Sequence, residues 1–144
     1  MPIILPATLA TAAACAVLSV WMAMRIGQIR RARKIWMGDG GDTAMVARMR
    51  AQANFVEYAP FVLILLALLE LAKGPSLAAW GYGLVFVVAR VFHVFGMDGW
   101  KPGRMAGAIM TLLILLLLAG ECAWVAFSTP FVTAPVIVDV PLKG

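Results

Sequence analysis

A chain of 144 residues that is 63% hydrophobic and only 13% charged, with a mean hydropathy of +0.94, is not an ordinary soluble domain. Such domains are nearer about 45–50% apolar and about 25% charged. The net charge of +5 reads as membrane topology with attraction to anionic lipid heads, and not as a nucleic-acid surface. Cys15 and Cys122 lie inside apolar runs without CxxC spacing, so they point to neither a disulfide framework nor a metal site and read as small core hydrophobes.

Four membrane spans are expected, at about 3–26, 52–72, 76–96 and 104–127, each near the roughly 20 apolar residues a bilayer requires. The opening Met1-Pro-Ile-Ile-Leu has no basic n-region and the run after it is long, which argues against a cleaved signal peptide. Helix one is rich in alanine, which permits close packing in lipid. It should continue past the membrane surface through Arg30-Arg31-Ala-Arg33-Lys34. Gly38-Asp39-Gly40-Gly41 then breaks it, with Asp42 or Thr43 as N-cap of the next helix. Asp39 and Asp42 read as turn and cap residues.

Helix two, from about 43 to 72, would span about 45 Å at 1.5 Å per residue, more than the hydrocarbon core. Its start therefore projects from the membrane, with Arg48 and Arg50 at the interface and Glu57 and Tyr58 one to two turns deeper. Pro60 should bend it and free the Val56 carbonyl. Lys73-Gly74-Pro75-Ser76 permits only a tight antiparallel hairpin, with Glu70 as an interfacial residue able to pair with Lys73. Helix three brings Arg90 and His93, at i and i+3, to the end of its span. Met97 to Gly103 forms the next turn, Arg104 opens helix four, and Glu121 near its far end reads as an interfacial or helix–helix hydrogen bond. Residues 1–127 thus form one four-helix membrane domain, and 128–144 a short proline-broken tail on the outer face.

Basic residues concentrate in the first loop and its flanks (Arg25, Arg30, Arg31, Arg33, Lys34, Arg48, Arg50) and recur in the third (Lys101, Arg104), against Lys73 alone in the second. The positive-inside rule then turns the first and third loops to the cytoplasm and both termini outward. Antiparallel helices bring Arg50, Asn54, Glu57, Tyr58, Arg90, His93 and Arg104 to one cleft on that side, joined from helix one by Arg30. Arg50, Asn54 and Glu57 fall at i, i+4 and i+7, a single helical face. Ionisable groups at bilayer depth cost about 2.5–3.5 kcal/mol each, which calls for a partner or a ligand.

Charge counting leaves two readings open. In one, the arginines hold carboxylates bidentately and Glu57 holds an ammonium group, a pattern glutathione fits with two carboxylates, an α-amino group and a thiol. In the other, Glu57 pairs with Arg50 or Arg90 and the network only joins helices. His93 by itself reads first as a packing residue and second as a base.

Arg50-Ala-Gln52-x-Asn54-x-x-Glu57-Tyr58-x-Pro60, with Arg90-x-x-His93, resembles the membrane-associated proteins in eicosanoid and glutathione metabolism (MAPEG). The Gly38–Gly41 loop is similar to that of small bacterial members, and the likeness covers about residues 20 to 125. It implies a homotrimer of four-helix subunits in a bacterial inner membrane, with glutathione at subunit interfaces near the cytoplasmic side. By position it implies that Arg50, Gln52, Asn54, Glu57 and Tyr58 hold glutathione. Arg90 and His93 would contribute from helix three, and Arg30, with Arg31 as the alternative, from helix one. Arg104 matches the helix-four arginine that stabilises the thiolate in the leukotriene-synthase-like branch. One departure is Met97, where several eicosanoid-metabolising members carry tyrosine.

The leading expectation is a glutathione-dependent transferase, with peroxidase as a further activity, acting on lipid-soluble electrophiles. The alternative is a non-catalytic protein of the same fold that binds a lipid or a protein partner. A small proton-coupled exporter fits less well, because the first apolar run, Ile3 to Met24, holds no acidic residue.

Overall fold

Local signals in the sequence set where each helix starts and stops. The computed structural model describes residues 4–128, as α1 (Pro6–Arg33), α2 (Thr43–Lys73), α3 (Leu77–Met97) and α4 (Lys101–Ser128). All four are long and apolar enough to cross a membrane, in agreement with the expected all-α, four-span architecture. The tail from residue 129 onward and the expected start of the first span at residue 3 lie outside the described residues. Helix α4 begins three residues before the expected 104, because Pro102 sits in its first turn, where a missing N–H costs nothing.

Asp42 caps α2 by accepting from the Met45 N–H at 2.9 Å, and Ser76 caps α3 by accepting from the Ala79 N–H at 3.1 Å. Between α1 and α2, Asp39 Oδ1 accepts from the Gly41 N–H at 3.0 Å. That turn needs φ values of +68°, +60° and +71° at Gly38, Gly40 and Gly41, which only glycine adopts freely. Helix α2 runs unbroken through Pro60.

Helix α1 has no cap of its own, since Leu5 precedes it. Glu70, reaching over from α2, supplies one. Its carboxylate accepts from the Ala7 N–H at 3.1 Å, the Thr8 N–H at 2.8 Å and the Thr8 hydroxyl at 2.7 Å. Glu70 is only 1% exposed, which corrects the expectation of an interfacial Glu70 paired with Lys73. The reason is that orphan N–H groups at a helix start need an acceptor where water is scarce. Lys73 pairs with Glu121 at 2.7 Å, and Tyr82 donates to the same carboxylate at 2.8 Å, the helix–helix role expected of Glu121.

Helices α2 and α3 each pack on all three others, while α1 and α4 do not meet. Side chains such as Val62, Leu66, Phe86 and Leu118 fill the core, and Val17, Ile64, Leu68 and Leu116 are exposed as a lipid-facing belt requires. Burial from water cannot drive helices together inside lipid, so close approach at small residues matters more. Gly83 lies against Thr11, and Gly96 against the backbone of Arg104. A Cβ on Gly107 would stand 2.5 Å from the Ala89 carbonyl and 2.6 Å from the His93 nitrogen. These contacts bring the end of α3 and the start of α4 together, and with them His93 and Arg104.

The end of α1, the start of α2 and the α3–α4 turn share one side. Arg48 donates to the Arg25 carbonyl at 2.7 Å, Arg25 forms an ion pair with Asp98, and Arg48 lies 3.9 Å from the same carboxylate. The Arg25 guanidinium also stacks over Trp21, 4.9 Å from its ring centroid.

Candidate functional site

On that side, α2, α3 and α4 enclose a polar pocket of about 350 Å³ lined by Arg50, Ala53, Asn54, Glu57, His93, Met97 and Arg104. Arg50, Asn54 and Glu57 reach it because their spacing keeps them on one helical face. His93 and Arg104 reach it through the glycine contacts between α3 and α4.

Arg90 lies behind the wall of the pocket, fully buried. It donates through Nη2 to Asn54 Oδ1 at 2.9 Å and through Nη1 to Thr111 Oγ1 at 3.2 Å. Its Nη2 also stands 3.3 Å from His93 Nδ1. A guanidinium only donates, so Nδ1 accepts and the ring hydrogen sits on Nε2. Thr111 passes the chain on by donating to the Gly107 carbonyl at 2.8 Å. Arg90 Nε has no partner among the described residues.

Glu57 is exposed on this face. Among the described residues it pairs with neither Arg50 nor Arg90, and Arg50 and Arg104 are equally without a carboxylate partner. Arg90 spends its donors on neutral oxygens and a ring nitrogen. The reading in which Glu57 closes a self-satisfied network is therefore not what the structure shows.

Three of the expected residues, Arg30, Gln52 and Tyr58, stand elsewhere. Arg30 and Gln52 line a second hollow of about 490 Å³ with Ile26, Met49, Ala53 and Val56, so within one chain Arg30 does not join the cleft expected to include it, and Gln52, expected only as a contact at a subunit interface, lies beside Arg30. Gln52 follows Arg50 by two residues, about 200° around the helix, and so faces the opposite side of α2; only Ala53 borders both hollows. Arg30 Nη2 approaches Met49 Sδ at 4.0 Å. Tyr58 is half-buried and packs on the apolar core. Thr111 was not singled out from sequence; the available signal was a lone hydroxyl in the leucine-rich run of α4.

Cations, an amide and a carboxylate that is unpaired among the described residues thus line one polar pocket, carried by four helices long and apolar enough to cross a membrane. The MAPEG family model matches residues 8–124, essentially the whole four-helix body, and the chain belongs to that family. It is 26% identical over 110 residues to the inner membrane protein YecN of Escherichia coli strain K12, a match covering 71% of this chain and 84% of the relative. YecN of Escherichia coli strain CFT073 matches to the same extent.

Proposed function

We propose that the chain is a membrane-bound, glutathione-dependent transferase of a bacterial inner membrane, with both termini facing outward and three subunits in the assembly. The observation that carries the reading is Glu57, an exposed carboxylate without a counter-ion among the described residues, sharing a pocket with Arg50 and Arg104. In this reading Glu57 holds the ligand's α-ammonium group, and Arg50 and the Asn54 amide hold its carboxylates. Arg104 stands by the thiol. A free thiol has a pKa of about 8.5, and a neighbouring guanidinium favours the thiolate at neutral pH.

The thiolate sulfur attacks an electrophilic carbon delivered from the lipid. A carbon–sulfur bond forms, the leaving group departs with the bonding pair, and the thiol proton has already passed to solvent. In a peroxidase reaction the same thiolate would take the terminal oxygen of a lipid hydroperoxide, releasing the alcohol and leaving a sulfenic acid, which a second glutathione thiol would convert to the disulfide with loss of water. Arg30 and Gln52 enter if subunits pack around α2, because the hollow on one side of it in one subunit then meets the opposite hollow in a neighbour.

A second reading, binding without catalysis, draws on Met97, which places a thioether in the pocket where related enzymes carry a phenol. Calorimetry with glutathione and a conjugation assay with an aryl halide test the proposal on the purified protein. Saturable binding with conjugation supports the transferase, and binding alone supports the second reading. Absence of both binding and conjugation would overturn the transferase, and lipid retained at the site in place of glutathione would favour a non-catalytic protein that binds a lipid or a partner.

A further inference from the structure

The chain leaving α1 forms a charged hollow of its own, of about 440 Å³, lined by Gly27, Arg30, Arg31, Lys34, Ile35 and Trp36. Lys34 ends α1 in the left-handed region at φ +54°, and its N–H turns back to the Arg30 and Arg31 carbonyls. The Ile35 N–H then donates to the Arg30 carbonyl at 3.0 Å. This fold-back gathers three cationic side chains within five residues. It also occupies two of the terminal carbonyls of α1, those of Arg30 and Arg31, which otherwise face an anion with negative charge.

Among the described residues, none of these three cations pairs with a carboxylate. The nearby Asp42 is taken by Arg33 at 3.4 Å. Beside the hollow, Trp36 is 95% exposed and Met37 is 90% exposed, on the chain that turns back after Lys34, about ten residues beyond the apolar span of α1. Tryptophan at such a level is an anchor of the membrane interface.

We infer that this hollow binds the phosphate of an anionic phospholipid headgroup, with Arg31 and Lys34 holding the charge and Trp36 seated beside it at the headgroup level. A free anion would engage the cations and leave Trp36 and Met37 in water; a lipid accounts for both. The inference stands apart from the pocket around Glu57. Arg30 borders both α1 hollows, so the test leaves it unchanged.

Native mass spectrometry of the full chain in detergent tests this with phosphatidylglycerol, phosphatidylcholine of the same acyl chains, and inorganic phosphate as three separate probes. Phosphatidylglycerol is expected to be retained over phosphatidylcholine. Each basic side chain near an anionic surface contributes about 1 kcal/mol, and about 1.4 kcal/mol is tenfold. Lys34→Gln should thus weaken retention of the anionic lipid about fivefold, and the double variant Arg31→Gln/Lys34→Gln about 30-fold, with phosphatidylcholine unaffected. Both positions are exposed, and the single variant guards against a folding defect in the double one. Equal retention of the two lipids overturns the inference, as does anionic-lipid retention that neither variant changes. Inorganic phosphate binding as well as phosphatidylglycerol would make the hollow a free-anion site and overturn it too.

Discussion

Arg90 on α3 donates to Asn54 on α2 at 2.9 Å from a fully buried position. Its other terminal nitrogen reaches Thr111 on α4, so one guanidinium ties three helices together behind the pocket. A buried charge is tolerated only when it is well hydrogen-bonded, and here two side-chain oxygens and the His93 ring nitrogen engage its two terminal nitrogens.

Asn54→Leu and Thr111→Val should therefore each destabilise the protein by about 2 kcal/mol, the range for hydrogen bonds to a charged group. The double variant should depart from the sum of the two by at least about 0.5 kcal/mol, since both oxygens serve the same side chain. Thermal unfolding in detergent measures this. Strict additivity would show that the two are not coupled through Arg90.

Glu70 and Lys73 are three residues apart in sequence and unrelated in the fold. Glu70→Ala removes the side-chain acceptor that caps the start of α1 and should cost about 1–3 kcal/mol, the penalty for unsatisfied buried donors. Lys73→Ala breaks a partly exposed pair with Glu121 and should cost under about 1 kcal/mol. Comparing the two by thermal unfolding decides whether Glu70 acts on α1, and equal losses would restore the local pair suggested by their spacing.

Gly107→Ala places a methyl group 2.5 Å from the Ala89 carbonyl and 2.6 Å from the His93 nitrogen. Overpacking of this kind costs about 1–3 kcal/mol, and here it also shifts His93 relative to Arg104. Gly120→Ala, where a Cβ meets nothing within 4 Å, should stabilise α4 by about 0.5–1 kcal/mol. Unfolding midpoints separate the two, and ligand affinity should fall for Gly107→Ala alone.

Glu57 and Arg104 line the same pocket with different tasks in the proposed mechanism. Glu57→Gln should weaken glutathione binding while leaving bound ligand able to ionise. Arg104→Ala should retain binding and lose the ultraviolet absorbance of the thiolate. Calorimetry beside absorbance spectroscopy reads both, and equal loss of affinity in the two variants would contradict separate roles.

The sequence carried the helices and much of the pocket because both depend on short-range periodicity. Asp42, the glycine turn and the Arg50–Asn54–Glu57 face are all legible within one helix or loop. Partners across helices were not. Nothing near Glu70 signals that α1 lacks a cap, and the nearest cation in sequence, Lys73, is committed elsewhere. Thr111 becomes visible only once Gly107 lets α3 and α4 close together. Gln52 could have been placed from spacing alone, since about 200° separates it from Arg50.

The most direct test of the central claim is an electron cryomicroscopy map of the protein purified with glutathione. The account predicts tripeptide-shaped density between Arg50, Asn54, Glu57 and Arg104, with the thiol nearest Arg104. Lipid density there, or an empty pocket at saturating glutathione, would contradict it.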